Sequence, residues 1–271
     1  MHRRRSSTVL STALHVALIA GLAITVAGCE LATAPSAPQT SRVTATAQVT
    51  PSVAPTEPDE VPTIRPNPSG TGPDLVDAAN ALADLRSYRV SVASRGVLPA
   101  TTPNGTVTMT STLVQGNEPA AAFSIAGLDG LDGGRLDAIV IGDRAWVRTA
   151  AGRWTVSPGG AADFDATFTS LSPMELVNPF EVLSSVFRRV GIETRNGQTA
   201  IHLVARSADT DVAAAGLTAG SADLWVAAAG GSLVRLAIAG TWDLDGVPTA
   251  ITLTIDVSRT NDPANRIVPP A

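Results

Sequence analysis

An α+β fold, one long curved antiparallel sheet with amphipathic helices laid against it, is predicted by three observations. Between residues 88 and 258, ten segments carry strand-like patterning, in which apolar and polar side chains alternate with the two-residue period of a half-buried strand. The clearest sets Ile251, Leu253, Ile255 and Val257 against Thr252, Thr254, Asp256 and Ser258. Turn pairs fall between the segments: Asn104–Gly105, Gly142–Asp143, Ala151–Gly152, Asn196–Gly197, Gly230–Gly231 and Asp245–Gly246. Several of these supply the positive φ of tight hairpins, so the sheet is expected to be mostly an antiparallel meander. Two further segments have helical spacing instead.

The chain begins differently. Met1–Ser7 carries Arg3, Arg4 and Arg5, and Thr8 to Val26 is a largely apolar stretch with His15 as its one titratable group. A basic start before an apolar core is the layout of a secretory signal, though an uncleaved membrane span of this length is the other reading. Val26–Ala27–Gly28–Cys29 then resembles the bacterial lipobox, with valine where leucine is commoner. In signals of that kind the cysteine sulfur receives a diacylglycerol and the chain is cut just before it. Residues 1–28 are therefore assigned to a lipoprotein signal peptide and Cys29 to lipidation. Two or three acyl chains hold a protein stably at a membrane where one does not. As the sole cysteine, Cys29 excludes an intrachain disulfide and leaves a thiolate metal site without its other thiolates.

Residues 29–73 are read as the lipidated cysteine and a Pro/Thr-rich linker. Nine of the 19 prolines fall there, with almost no large apolar side chain. Such a segment cannot bury a core, and proline favours extended chain at about 3.1 Å per residue, which suits a spacer.

A folded domain is expected over residues 74–260, followed by a flexible tail at 261–271. Leu75, Ala78, Ala79, Leu82 and Leu85 fall at helical spacing and predict a short helix from Asp74 to about Arg86. A second helix interrupts the strand pattern in "SPMELVNPFEVLSSVFRRVG", Ser172 to Gly191. It has two start signals, Ser172–Pro173 with Glu175 and Asn178–Pro179 with Glu181. Leu176, Phe180, Leu183 and Phe187 would line one face, with Arg188, Arg189 and Gly191 closing the end.

The net charge is −5, and loss of the three arginines of the signal takes it to −8. All 19 basic residues are arginine, and none cluster beyond the first few positions. Nucleic-acid binding, which depends on neutralising phosphates, is thereby excluded.

Catalytic candidates are few. His202 is the one imidazole after the signal, on the strand face opposite Ile201 and Leu203; a solvated strand residue is the favoured reading over a general base. None of the G-x-S-x-G, H-E-x-x-H or P-loop patterns occurs. "DLDG" at Asp243–Gly246 and "GLDGLDGG" at Gly127–Gly134 lack the full set of oxygen ligands of a calcium loop and read as turns. Trp146, Trp154, Trp225 and Trp242 sit in or beside strands, and Phe164, Phe168 and Phe180 surround the approach to the second helix. They either fill a core or wall a cavity, and periodicity alone does not decide.

The order of elements resembles the mycobacterial LppX/LprG-type lipoproteins, whose fold is similar to the LolA and LolB carriers. The segments that carry the resemblance are the lipobox, the Pro/Thr linker, "LRSYRVSV", "DAIVIGDRAWVRTAAGRW", "PMELVNPFEVLSSVF", "NGQTAIHLVA" and "ADLWVAAAGGSLVRLAI". It implies a half-open β-barrel, helices on the concave side of the sheet, and a hydrophobic cavity for the acyl chains of a lipid or glycolipid. It implies no catalytic residue, metal or cofactor, and a place on the outer face of the cell membrane. The cavity candidates are Trp146, Leu176, Phe180, Leu183, Phe187 and Trp225. The competing reading is a non-catalytic interaction module whose core is filled.

Overall fold

The computed structural model describes residues 74–98, 105–128, 134–150, 152–209, 212–213, 216–244 and 247–271. The signal, Cys29 and the linker lie outside the described residues, as do Asn104, most of the Gly127–Gly134 loop, Ala151 and Asp245–Gly246.

Eleven strands form one antiparallel sheet: β1 (Ser87–Arg95), β2 (Thr106–Val114), β3 (Ala120–Ala126), β4 (Arg135–Ile141), β5 (Arg144–Thr149), β6 (Thr155–Val156), β7 (Arg188–Arg195), β8 (Gln198–Arg206), β9 (Leu217–Ala227), β10 (Leu233–Leu244) and β11 (Val247–Ser258). Their spatial order is β6-β5-β4-β3-β2-β1-β11-β10-β9-β8-β7. The first and last strands therefore pair at the centre, Val92 opposite Ile255, and join two meanders. With β6 and β7 at the edges, the sheet stays open, as a half-barrel requires.

Turn chemistry and close backbone approach shape it. Asn196 and Gly197 both have positive φ, 51° and 79°, the conformation of a two-residue I′ hairpin. Gly220 and Gly240 face each other across β9 and β10. A Cβ on Gly240 would stand 1.9 Å from the Ala219 carbonyl oxygen, and one on Gly220 2.0 Å from that of Ala239. Only paired glycines allow the backbones this close, next to a register shift at Thr241/Trp242 that bends the strand.

The inner face carries the main core and the helices. In α1 (Leu75–Asn80), Asp74 caps the first turn, its carboxylate accepting from the Val76 and Asp77 amides at 2.7 and 3.1 Å, and a 3₁₀ turn over Ala81–Asp84 completes the predicted helix. Leu75, Ala78, Ala79 and Leu82 are buried as expected. The predicted second helix is divided. Ser172 caps α3 (Pro173–Val177); a 3₁₀ segment follows over Asn178–Ser185. Asn178 makes no capping bond, and Pro179, lacking an N–H, cannot continue the α-helical ladder. Arg188, Arg189 and Gly191 are not a helix end but part of β7, which pairs with β8 across the Asn196–Gly197 turn. A short α2 (Asp165–Ser170) precedes α3, after a 3₁₀ turn over Gly160–Phe164.

The segment after β11, assigned to a tail by the sequence, folds back on β1. The Asn261 carboxamide accepts the Arg86 amide at 2.7 Å, and the buried Asn265 donates to the Ser87 hydroxyl at 3.1 Å and the Arg259 carbonyl at 2.6 Å.

Candidate functional site

Alternation fixes which side chains share the inner face, and their sizes decide where space is left. On the β1–β5 side, one inner row runs Tyr88, Leu113, Ala121, Val140, Ala145, and the next Val90, Ser111, Phe123, Ala138, Val147. Small residues interrupt both rows. Above them lies α2, none of whose residues is buried. A cavity of about 500 Å³ remains between sheet and helix, within the range of small-molecule and lipid sites.

Its walls are chiefly apolar: Tyr88, Met109, Leu113, Phe123, Val140, Phe168 and Leu171, with Ala121 at the floor. Phe123 meets Phe168 edge to face at 4.9 Å and Phe164 at 6.0 Å, which stiffens one wall. Exposed Gln115, Gly116, Pro119 and Asp165 mark the mouth. Burial raises the Tyr88 phenol above its ordinary value, so the wall stays uncharged.

None of the six predicted cavity residues lines this space. Leu176, Phe180, Leu183 and Phe187 are all buried, but in the filled core, where Phe180 meets Trp242 of β10 edge to face at 5.0 Å. Trp146 and Trp225 sit on the outer face, by alternation with the buried Ala145, Val147, Leu224 and Val226. The Arg144 guanidinium lies 5.5 Å from the Trp146 ring centroid. Of the aromatic residues singled out in the sequence, Phe168 lines the cavity, beside Tyr88 and Phe123. The sequence signal for the space was small residues, Ser111 and Ala121, at inward strand positions where Leu or Ile would fill a core.

The outer face carries a row of polar residues in register: Arg148, Asp137, Ser124, Thr110, Ser91, Asp256, Arg235, Trp225 and His202. His202 is not simply solvated. Its ring stacks on Trp225 at 4.3 Å, and its Nε2 lies 3.0 Å from Asp223 Oδ1. Arg206 grips the same carboxylate through both terminal nitrogens at 2.7 and 3.0 Å. Trp225, 7% exposed, donates its indole N–H to Glu193 and lies under Arg195 at 4.8 Å. Burial alone would raise the Asp223 carboxyl, but hydrogen bonds from Arg206 and His202 outweigh it and hold it below the usual range. Asp137 behaves alike: burial opposes its charge, and hydrogen bonds from Ser124, Arg135 and Arg148 prevail. These groups cross-link strands, and each has a partner that accounts for its position. Among the described residues, no cluster of three or more His, Cys, Asp or Glu gathers to hold a metal, and no helix is long and apolar enough to cross a membrane.

No protein-family model matches the chain, and no curated protein matches it. Among solved structures it is similar to the lipoprotein LppX of Mycobacterium tuberculosis, at 17% identity over 71% of this chain and 98% of that one, with a TM-score of 0.38. It is also similar to LprF of Mycobacterium bovis, at 16% identity over 74% and 99%, with a TM-score of 0.42, and to a LolA superfamily protein of Nitrosomonas europaea, at 10% identity over 72% and 95%, with a TM-score of 0.22.

Proposed function

We propose that this chain is an envelope lipoprotein, anchored through acylated Cys29 on the outer face of the cell membrane, that shelters lipid acyl chains in its cavity without catalysing a reaction. The observation that carries the reading is the apolar space beneath α2, floored by Ala121 and open past Gln115 and Pro119. An acyl chain suits it because the binding energy comes from leaving water. Each methylene contributes about 0.8 kcal/mol, so about five of them offset the lowest estimate of the cost of association, about 4 kcal/mol. On this reading residues 1–28 are removed, and residues 30–73 hold the domain away from the membrane while the cargo is passed on.

The test is titration of the delipidated full chain with the uncharged fluorophore Nile red, followed by native mass spectrometry of the chain taken directly from its membrane. Saturable binding of one probe, displaced by a long-chain lipid, and co-purified lipid masses are expected. Ala121→Trp, which puts an indole on the cavity floor, should weaken the probe by about tenfold or more. Binding that is absent, or that ignores Ala121→Trp, would favour the filled-core interaction module instead. Anchoring is tested separately: Cys29→Ser should abolish the acyl mass on the chain.

A further inference from the structure

The mouth of the cavity has its own chemistry. It forms where the β2–β3 turn, Gln115–Pro119, meets the β4–β5 turn at Gly142, whose amide donates to the Pro119 carbonyl at 3.0 Å. Pro119 and Gly142 line both the cavity and an adjoining surface dish completed by Asn117, Glu118, Ile141, Asp143 and Arg144. Glu118 lies over the shared rim: its Cγ and Oε1 come to 3.5 Å from where a Gly142 Cβ would stand. Asp165, at the start of α2, lines the cavity, and Asp143 lines the dish. Arg144 is the single cation among the residues lining either space, and its guanidinium lies over the Trp146 ring.

Two carboxylates thus stand at the opening through which a polar head must project, Asp165 in its lining and Glu118 over its rim, with Asp143 in the adjoining dish. Ionised carboxylates only accept hydrogen bonds. A head that offers hydroxyl donors can satisfy them; a carboxylate or phosphodiester head offers none and adds a like charge at close range. We infer that the cavity selects amphiphiles whose head donates hydrogen bonds and carries no negative charge, with Glu118 and Asp165 as the residues that turn anionic lipids away. The inference rests on the cavity reading: the cavity is the site, and the carboxylates set which head it accepts.

The experiment compares two competitors of equal chain length, decanoylglycerol and decanoate, for displacement of Nile red from the full chain at neutral pH and low salt. Decanoylglycerol should compete about tenfold better or more, since a tenfold ratio needs only one modest like-charge contact near a protein surface. That ratio should shrink in Glu118→Gln/Asp165→Asn and as salt is raised, because exposed charges are screened. Reading the ratio within each variant removes any general effect of the substitutions on the site. Equal competition by the two, or a ratio untouched by the double variant, overturns the selection while leaving the cavity in place. Failure of both competitors while Nile red itself does not bind overturns the cavity reading, and the selection with it.

Discussion

The two halves of the inner face obey the same alternation and end differently. In the half that runs from β1 through β11 to β8, one inner row reads Val92, Ile255, Leu236, Leu224, Leu203. Leu176, Val177, Phe180 and Leu183 press onto this core from α3 and the 3₁₀ segment behind it. In the half from β1 to β5, Ser111, Ala121, Ala138 and Ala145 take the places that leucine and isoleucine hold across the sheet, and the cover is a six-residue helix that buries nothing. A strand pattern specifies a face. Whether that face is packed or hollow depends on side-chain volume and on what lies above it.

The largest way to break the contrast is Phe180→Ala in the packed half. Phe180 is 2% exposed and in edge contact with Trp242. Its loss should cost about 3–5 kcal/mol in urea unfolding, the usual toll of an emptied aromatic site. Phe168→Ala in the hollow half, where the ring is only partly buried, should cost clearly less and act instead on Nile red affinity. Equal losses at the two positions would mean that the halves are packed alike.

The same contrast explains what was legible in the sequence. The meander was, because period-two patterning and turn pairs such as Asn196–Gly197 are local signals. The first helix was, because Leu75, Ala78, Ala79, Leu82 and Leu85 fall at helical spacing behind Asp74. β7 was hidden: Arg188, Arg189 and Gly191 resemble a helix terminus when read forward from Phe187. Read backward from Asn196–Gly197, Val190, Ile192 and Thr194 are β-branched residues at alternate positions, the approach strand of a hairpin. Leu176, Phe180, Leu183 and Phe187, expected to border a cavity, lie in the packed core, since large apolar side chains are what fill space. Trp146 and Trp225 were grouped with them, although their strand neighbours Ala145, Val147, Leu224 and Val226 already claimed the inner face.

A second substitution sharpens the contrast in the opposite direction. Ala121→Leu adds volume where the cavity is, so it should leave stability within about 1.5 kcal/mol of the parent, or raise it, while weakening Nile red. Overpacking of a tight site costs about 1–3 kcal/mol. Ala222→Leu, at a fully buried position in the packed half, should pay that cost. Calorimetry of the pair checks both.

The outer faces of the two halves are held alike, which predicts a common response to acid. Asp137 ties Arg135 and Arg148 in one half, at 2.9 Å to each, and Asp223 ties Arg206 and His202 in the other. Both carboxyls are held below their ordinary values. A group depressed in the folded state contributes stability above its unfolded value, about 3.9 for Asp, and loses it as pH falls through the folded value. Melting temperature should therefore fall below about pH 4. Asp137→Asn and Asp223→Asn should each lower it at neutral pH and flatten that acid fall. An acid fall that stays equally steep in both variants would place the titrating groups elsewhere.

The smallest expected effect lies on the seam between the halves. Ser94 of β1 sits between Val107 of β2 and Leu253 of β11, 1% exposed, and its hydroxyl has no hydrogen-bond partner. Burying an unpaired hydroxyl costs about 1–3 kcal/mol. Ser94→Ala removes that cost and gives up one small atom's packing, so stability should rise by about 0.5–1 kcal/mol, read as a higher urea midpoint with an unchanged slope. A fall of similar size would mean that the hydroxyl is bonded in the folded chain.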